Sequence, residues 1–286
     1  MIWRLFEYIA DKGVLRPSVD PIPLEDGTCR KIRWTIGDVE LFVRRNYRDP
    51  TLEPEAFMVK FSGTGGRAER SSIHPVDLAT DVRFEVWCVN PPGYGNSAGP
   101  AKMRHFAAAA DAVIEIIAEE ADGRPIITSG NSLGTTMALY LGTRPEVKGV
   151  WFRNPPPLRQ LIGDTHAWWN AGLISRGVGR AVPKSMDSTA NAAKCDKPGL
   201  WVCSLQDHVV PVRYQCMVAE AYAGQLFKAE LANADHGDPP DLDERDAYIE
   251  LNREWLKATL GRELVDPIKT EDLPHGPAGG DTWGEY

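Results

Sequence analysis

The sequence predicts an α/β protein with a mostly parallel central sheet flanked by helices. Short apolar runs alternate with amphipathic stretches of helical period along most of the 286-residue chain, as in consecutive βαβ units. Several of these runs are apolar throughout, which is typical of strands that are covered on both faces. The composition, 43% hydrophobic and 25% charged, is that of an ordinary globular protein.

Six runs are predicted as strands of this sheet, and a hairpin is predicted before them. The hairpin joins residues 34–36 to residues 39–43 through a tight turn at Gly37 and Asp38. The last run alternates polar and apolar residues, so we expect it near an edge of the sheet. The six predicted strands are 56–61, 84–89, 126–128, 150–152, 200–203 and 226–231.

Two helices are predicted from apolar residues that recur at spacings of three and four. Gly261 is placed to end the second helix, since glycine accepts the left-handed conformation found just past many helix ends. The residues that define the two helices are Phe106, Ala110, Val113 and Ile117 in the first, and Tyr248, Leu251 and Trp255 in the second.

Residues 1–265 are predicted to form a single domain that carries a cap insertion at about 155–198. The insertion begins with three prolines and is too long for a plain connection, so we expect it to contain helices and to cover the carboxyl edge of the sheet. Residues 266–286 are rich in proline, glycine and acidic residues, and they are predicted to be a loosely ordered tail.

Charge and composition argue against several classes of function. A net charge of −8 disfavours a nucleic-acid partner, because phosphates require a basic surface. No apolar run approaches membrane-spanning length, and charge interrupts the N-terminus too early for a secretory signal, so we expect a cytoplasmic protein. The five cysteines are odd in number and lack close pairing, so neither a disulfide framework nor a metal site is predicted. The oligomeric state is left open.

The most informative motif is Gly130-Asn131-Ser132-Leu133-Gly134, which stands between a predicted strand and a helical stretch. A serine on so sharp a turn has a strained backbone and needs small neighbours, and the two glycines provide them. The bend holds the hydroxyl clear of the sheet, where a substrate can reach it. Gly-x-Ser-x-Gly in this setting is typical of a nucleophile elbow, although an ordinary turn between strand and helix can carry the same letters.

A serine nucleophile needs a base and a group that orients the base, and both should follow later parallel strands. Asp207 follows the predicted strand 200–203, and His236 follows the strand 226–231, so the chain order is serine, acid, histidine. Asp207 could instead serve as a turn or helix-cap residue, and His236 could be a loop histidine. Asp196 is the first substitute for the acid.

The chain resembles the α/β-hydrolase fold family over roughly residues 30–261. Four motifs carry the resemblance: the elbow, the Asp-x-x-Val-Pro loop at 207–211, the His-Gly pair at 236–237 and the Pro-Gly-Tyr-Gly-x-Ser type loop at 90–97. The resemblance implies an α/β-hydrolase fold in which Ser132 attacks a carbonyl carbon, His236 transfers the proton, and Asp207 orients the histidine.

The resemblance also implies an oxyanion hole made of backbone N–H groups. One donor is expected from Leu133, directly after the nucleophile, and the other from Thr64, with Gly65 as the alternative. The family often has histidine where this chain has Ser62, which leaves the second donor open. Tyr94, Trp168 and Trp169 are predicted to line the substrate pocket, although adjacent tryptophans also pack caps onto domains.

The predicted function is a cofactor-independent serine hydrolase that cleaves a carboxylic ester, thioester or amide through an acyl-enzyme. Its partner would be a small-molecule or acylated substrate whose identity the sequence does not give. The same residues could transfer the acyl group to an alcohol or thiol where water is excluded. A non-catalytic ligand-binding protein on the same scaffold is the third reading, because a fold does not dictate chemistry.

Overall fold

The computed structural model describes residues 2–23, 30–33, 39–165 and 173–265. The strands in these residues are β1 (Arg30–Arg33), β2 (Glu40–Arg45), β3 (Ala56–Phe61), β4 (Phe84–Asn90), β5 (Ile126–Asn131), β6 (Val147–Arg153), β7 (Gly199–Ser204) and β8 (Leu226–Leu231). The α-helices are α1 (Ile2–Val14), α2 (Met103–Ala121), α3 (Thr135–Gly142), α4 (Leu158–Thr165), α5 (Leu173–Ala181), α6 (Ser188–Ala192), α7 (Val212–Ala221) and α8 (Leu242–Leu260).

The strands form one sheet in the order β1-β2-β4-β3-β5-β6-β7-β8. Strand β2 pairs antiparallel with β1 and with β4, whereas every pairing from β4 through β3, β5, β6 and β7 to β8 is parallel. The predicted mostly parallel sheet with flanking helices is therefore confirmed. The tight turn predicted at Gly37 and Asp38, together with the strand at 34–36, lies outside the described residues.

The burial of the strands follows their position in the sheet. Strands β3 and β4 are buried along their whole length, as expected for strands covered on both faces. Strand β8 is half-exposed and forms an edge of the sheet, which confirms the inference from its alternating residues. One apolar core lies under α1, α2, α3, α6 and α7, and a second core lies under α8 on the other face.

The two predicted helices are α2 and α8, and each extends beyond the residues that predicted it. Gly261 ends α8 with a left-handed backbone, φ 65°, and its N–H donates to the carbonyl of Lys257 at 2.9 Å. The described part of the segment 155–198 contains α4, α5 and α6 and no strand. Helix α5 packs against both α4 and α1, so this segment contacts the N-terminal helix.

A close contact of backbone with backbone fixes the start of α3 against the end of β3. A Cβ atom placed on Gly134 would lie 2.1 Å from the carbonyl oxygen of Phe61, and one on Gly130 would lie 2.5 Å from the carbonyl carbon of Gly134. Neither contact involves a flexible side chain that could move aside. Glycine is therefore needed at 130 and 134 for close packing, and the turn after β5 can be tight only because both are glycine.

We expect Gly134→Ala to lower the free energy of unfolding by about 1–3 kcal/mol, because the new methyl group must displace backbone. Gly13→Ala is the matched control, since Gly13 lies in α1 with no atom within 4 Å of the added Cβ. That control should be neutral or stabilising by up to about 1 kcal/mol. Urea unfolding followed by circular dichroism measures both, and equal stability of Gly134→Ala and the wild type would contradict the packing argument.

Candidate active site

Ser132 lies directly after β5 with a strained backbone. Its φ angle is 49°, in the left-handed region that non-glycine residues rarely adopt, and the side chain is largely buried. A short 3-10 turn, Ser132–Gly134, leads into α3, and the Thr135 hydroxyl donates to the Ser132 carbonyl at 2.6 Å. This strand-turn-helix geometry is the one that the glycine-flanked serine motif indicates.

Asp207 and His236 are joined by a hydrogen bond at the same edge of the sheet. The distance from His236 Nδ1 to Asp207 Oδ2 is 2.7 Å; the Asp207 side chain is fully buried, and that of His236 is 22% exposed. An ionised carboxylate can only accept, so Nδ1 carries the proton in this pair. The other ring nitrogen, Nε2, is then left as the basic atom.

The Asp207 carboxylate is held by three further donors. Its Oδ1 accepts the backbone N–H groups of Val209 at 2.8 Å and Val210 at 2.7 Å. Its Oδ2 also accepts the side-chain amide of Gln215, in α7, at 3.1 Å. The same amide donates to the Val210 carbonyl at 2.8 Å, so the fully buried Gln215 ties the acid to its own loop. The sequence reasoning missed Gln215, whose only signal is a polar residue on the inner face of α7.

Ser132 and His236 lie at one edge of the sheet, but their side chains are not hydrogen-bonded to each other in the described part of the chain. Parallel pairing from β5 to β8 brings the residues after each strand to the same edge. In enzymes without bound substrate, the contact between nucleophile and base is often longer than a hydrogen bond and shortens on binding.

Asn154 connects the acid loop to the histidine loop, and the sequence reasoning missed it. It follows β6 with φ 50° and is fully buried. Its Oδ1 accepts the N–H of Ser204 at 2.9 Å, while its Nδ2 donates to Ser204 Oγ at 3.1 Å and to the His236 carbonyl at 2.8 Å. The signal that could have revealed it is a polar residue directly after a buried strand at the carboxyl edge.

Asp235 and Arg153 strengthen the same connection. Asp235 Oδ1 accepts the N–H groups of His208 at 3.1 Å and His236 at 2.7 Å, and these donors lower the pKa of Asp235. The buried Arg153 guanidinium donates to Ser204 Oγ at 3.2 Å and to the Asp238 carbonyl. The two loops that carry Asp207 and His236 are thus joined to each other and to the end of β6.

The loop after β3 lies against Ser132. A Cβ atom added to Gly63 would lie 3.5 Å from Cβ of Ser132, in ordinary van der Waals contact. Thr64 is held on two sides: its hydroxyl donates to the Val14 carbonyl at the end of α1, and its own carbonyl accepts the Tyr94 hydroxyl at 2.8 Å. A loop fixed in this way keeps its backbone N–H groups in a constant position near the serine.

Tyr94, predicted in the substrate pocket, is 1% exposed. Burial raises the pKa of its phenol, which accepts the Arg16 N–H at 3.2 Å. Its ring lines a small apolar cavity together with Leu133 and Met137, directly behind the turn that bears Ser132. Trp168 and Trp169 lie outside the described residues.

The loop 90–97, which contains Tyr94, is built around the fully buried carboxylate of Glu40. Glu40 accepts the backbone N–H and the side-chain amide of Asn96, each at 2.7 Å, and the side-chain amide of Asn90 at 3.1 Å. The Ser97 hydroxyl donates to the Asn90 carbonyl at 2.6 Å. The motif at 90–97 therefore has a structural role: it holds its own loop beside the Thr64 backbone.

The alternative acid lies at the wrong end of its strand. Asp196 precedes β7, whereas the residues at the carboxyl edge follow it, and its exposed carboxylate pairs with Lys197. His208 adjoins Asp207 in sequence, but its ring is 82% exposed and contacts Asp235 at 3.1 Å. In the described part of the chain, neither the Asp196 nor the His208 side chain is hydrogen-bonded to the side chain of Ser132, Asp207 or His236.

The described histidines that precede the serine have other partners. His74 is buried, with Nε2 2.7 Å from the Tyr248 hydroxyl and Nδ1 3.0 Å from Asp77. His105 accepts the Arg104 guanidinium at 3.2 Å at the start of α2. His166 and His275 lie outside the described residues.

Two further kinds of site can be assessed within the described ranges. No group of three or more His, Cys, Asp or Glu side chains there could hold a metal ion. None of the described helices is both long enough and apolar enough to cross a bilayer.

Residues 66–177 match a protein-family model described as alpha/beta hydrolase fold. Acetyl xylan esterase 1 from Thermoanaerobacterium sp. is 12% identical, with a TM-score of 0.58 over 88% of this chain and 93% of its own. An esterase from Pyrococcus furiosus is 14% identical, with a TM-score of 0.62 over 87% of this chain and 98% of its own. The acylaminoacyl peptidase from Pyrococcus horikoshii is 15% identical, with a TM-score of 0.62 over 85% of this chain and 43% of its own.

No curated protein matches the chain at a significant level. The family model spans the turn at Ser132, and the solved structures share the fold of this chain over more than four-fifths of its length. The chain therefore has the α/β-hydrolase fold, which confirms the resemblance inferred from its motifs.

For the ester hydrolysis proposed in the next subsection, we expect Asn154→Gly to lower kcat for a p-nitrophenyl ester by about 100-fold with a smaller change in KM, because the loop that bears His236 loses its anchor. Glycine accepts φ 50° without strain, so this substitution tests the amide rather than the backbone. Asn233→Gly is the matched control, since Asn233 lies in the same loop and, within the described residues, its amide is hydrogen-bonded to the exposed Asp241 at 2.8 Å. Unchanged kcat in Asn154→Gly would refute the positioning role.

Proposed function

We propose that this protein is a serine hydrolase that cleaves a carboxylic ester, thioester or amide through an acyl-enzyme. The observation that carries the proposal is the hydrogen bond between the buried Asp207 and His236, at the sheet edge where Ser132 stands on a strained turn. An imidazole oriented by a carboxylate, at the same sheet edge as a serine hydroxyl, is the arrangement that activates serine.

In the proposed reaction Ser132 Oγ attacks the carbonyl carbon of the substrate while His236 Nε2 takes the hydroxyl proton. The resulting imidazolium is stabilised by Asp207, and it returns the proton to the leaving alcohol, thiol or amine as the tetrahedral intermediate breaks down. Water then repeats the sequence on the acyl-enzyme, with His236 as the base, and releases the acid. Binding of substrate would have to close the contact between Ser132 and His236 that is open in the free protein.

The oxyanion of the intermediate would be bound by the backbone N–H groups of Leu133 and Thr64, with Gly65 as the alternative to Thr64. Each such donor supplies about 3 kcal/mol of transition-state stabilisation. The contact of Gly63 with Ser132 and the two-sided anchoring of Thr64 support this assignment. A fixed loop pays no reorganisation cost when the charge develops.

Ester cleavage is the favoured chemistry within this class, because two of the similar solved structures are esterases. The third similar structure is an acylaminoacyl peptidase, so amide substrates should be tested together with esters. The cap at about 155–198, with Trp168 and Trp169, and the cavity beside Tyr94 are the proposed determinants of substrate choice. The substrate is proposed to be a small or acylated molecule.

We expect a fluorophosphonate probe to label the wild type at Ser132 and to leave Ser132→Ala unlabelled. The serine oxygen must be made nucleophilic by His236 to displace the fluoride, so His236→Ala should also lose labelling. Intact-mass spectrometry reads the adduct directly. Folded wild-type protein that stays unlabelled would favour the ligand-binding alternative. In a separate assay with an acyl substrate and an added alcohol, formation of a new ester would favour acyl transfer.

We expect Asp207→Asn to lower kcat/KM for an ester by about 1,000-fold or more, because the amide can hold His236 in the wrong tautomer and cannot stabilise the imidazolium. Asp196→Asn is the control, since this carboxylate is exposed at the opposite edge of the sheet, and it should keep wild-type activity. Steady-state kinetics on the two variants decide the point. Full activity of Asp207→Asn would require another acid.

A further inference from the structure

Helix α1 presents a stripe of aliphatic side chains to solvent. Ile2, Leu5 and Ile9 recur at spacings of three and four, and they are 67%, 53% and 40% exposed. Trp3 and Tyr8 are also exposed, but they lie beside other faces: Trp3 is seven residues before the buried Ala10, and Tyr8 lies beside Glu7 and Asp11. Scattered apolar residues are normal on a protein surface, but a continuous stripe on one helix face marks an interaction surface.

The opposite face of α1 is packed onto the protein. Ala10 is buried in the core beneath the helix, and a Cβ atom added to Gly177 of α5 would lie 2.6 Å from the ring of Phe6. At its C-terminal end, the Val14 carbonyl accepts the hydroxyl of Thr64. The helix is thus fixed by one face, and the stripe points away from the domain.

The exposed charges of α1 and α5 are all basic, although the chain as a whole carries a net charge of −8. The acids of α1 are only half-exposed and turn toward α2, where Glu7 Oε2 lies 3.9 Å from Arg104 and Asp11 accepts the Met103 N–H at 2.9 Å. The exposed surface of α1 and α5 therefore carries an excess of positive charge, although the net charge of the chain is negative. The exposed charged residues of the two helices are Arg4, Lys12, Arg176 and Arg180.

We propose that the outer face of α1, with the adjoining face of α5, docks onto an anionic lipid bilayer. A helix with an exposed aliphatic stripe and basic side chains lies in the plane of a membrane interface. The basic side chains complement anionic headgroups. Pairing of this face with the same face of a second copy would bring like charges together, which disfavours a dimer through α1.

Helix α1 is also linked by hydrogen bonds to the loop beside Ser132. The end of α1 is bonded to Thr64, and Tyr94 joins the same loop to the segment after α1 through the Arg16 N–H. The docking proposal rests on exposure and charge and does not require the proposed hydrolase activity. If both hold, an acyl substrate could pass from the bilayer to Ser132.

Co-sedimentation with vesicles tests the proposal, using the Ser132→Ala protein so that no hydrolysis alters the lipid. We expect binding to vesicles of phosphatidylglycerol and phosphatidylcholine, and much weaker binding to phosphatidylcholine alone. The double variant Leu5→Ser/Ile9→Ser should bind at least tenfold more weakly, because it lacks two aliphatic groups that would be buried in the bilayer. Leu242→Ser is the matched control, because Leu242 is 76% exposed on α8, over the other core, and this variant should bind as the parent does.

Charge is tested separately with Arg4→Glu/Lys12→Glu, which should weaken binding to anionic vesicles by about 20-fold or more at low salt. Circular dichroism checks that each variant is folded. The same substitutions made in the wild-type protein should leave its hydrolysis of a water-soluble ester unchanged. Failure of the folded parent to bind anionic vesicles would overturn the proposal. So would equal binding of the Leu5→Ser/Ile9→Ser variant, or a dimer that this variant abolishes.

Discussion

The sharp turn after β5 is the constraint on which the site depends. The start of α3 can approach β3 only because Gly134 lets its backbone touch the carbonyl of Phe61. That contact fixes Ser132 in a strained conformation, and it also fixes the loop that continues from Phe61 and lies against the serine. One steric requirement therefore sets the positions of Ser132 and of the loop proposed to bind the oxyanion.

The acid and the histidine depend on a different kind of interaction. They lie on loops after β7 and β8, and buried polar groups at the end of β6 join those loops. Asn154 and Arg153 can be buried without cost to stability only when their donors are paired, so each hydrogen bond they make also orders a loop. The packing of backbone at Ser132 and this polar network together bring the two halves of the site to one edge.

Much of the fold was predictable from local pattern: the six strand segments between residues 56 and 231, the presence of α2 and α8, and the end of α8 at Gly261. The pairing of Asp207 with His236 followed from chain order in a parallel sheet. The roles of Asn154 and Gln215 were not predictable, because a buried amide gains its function from strands and helices that are distant in sequence. Helix α1 was not predicted, because its regularly spaced apolar residues are exposed and do not mark a buried helix face.

The location of the histidine on the outermost strand has a thermal consequence. Strand β8 is half-exposed and is paired on one side only, so this edge opens at a lower free energy than the centre of the sheet. Ser132, by contrast, follows a strand with neighbours on both sides. Warming should thus move the loop that bears His236 away from Ser132, as a reversible, local event, while most of the protein is still native.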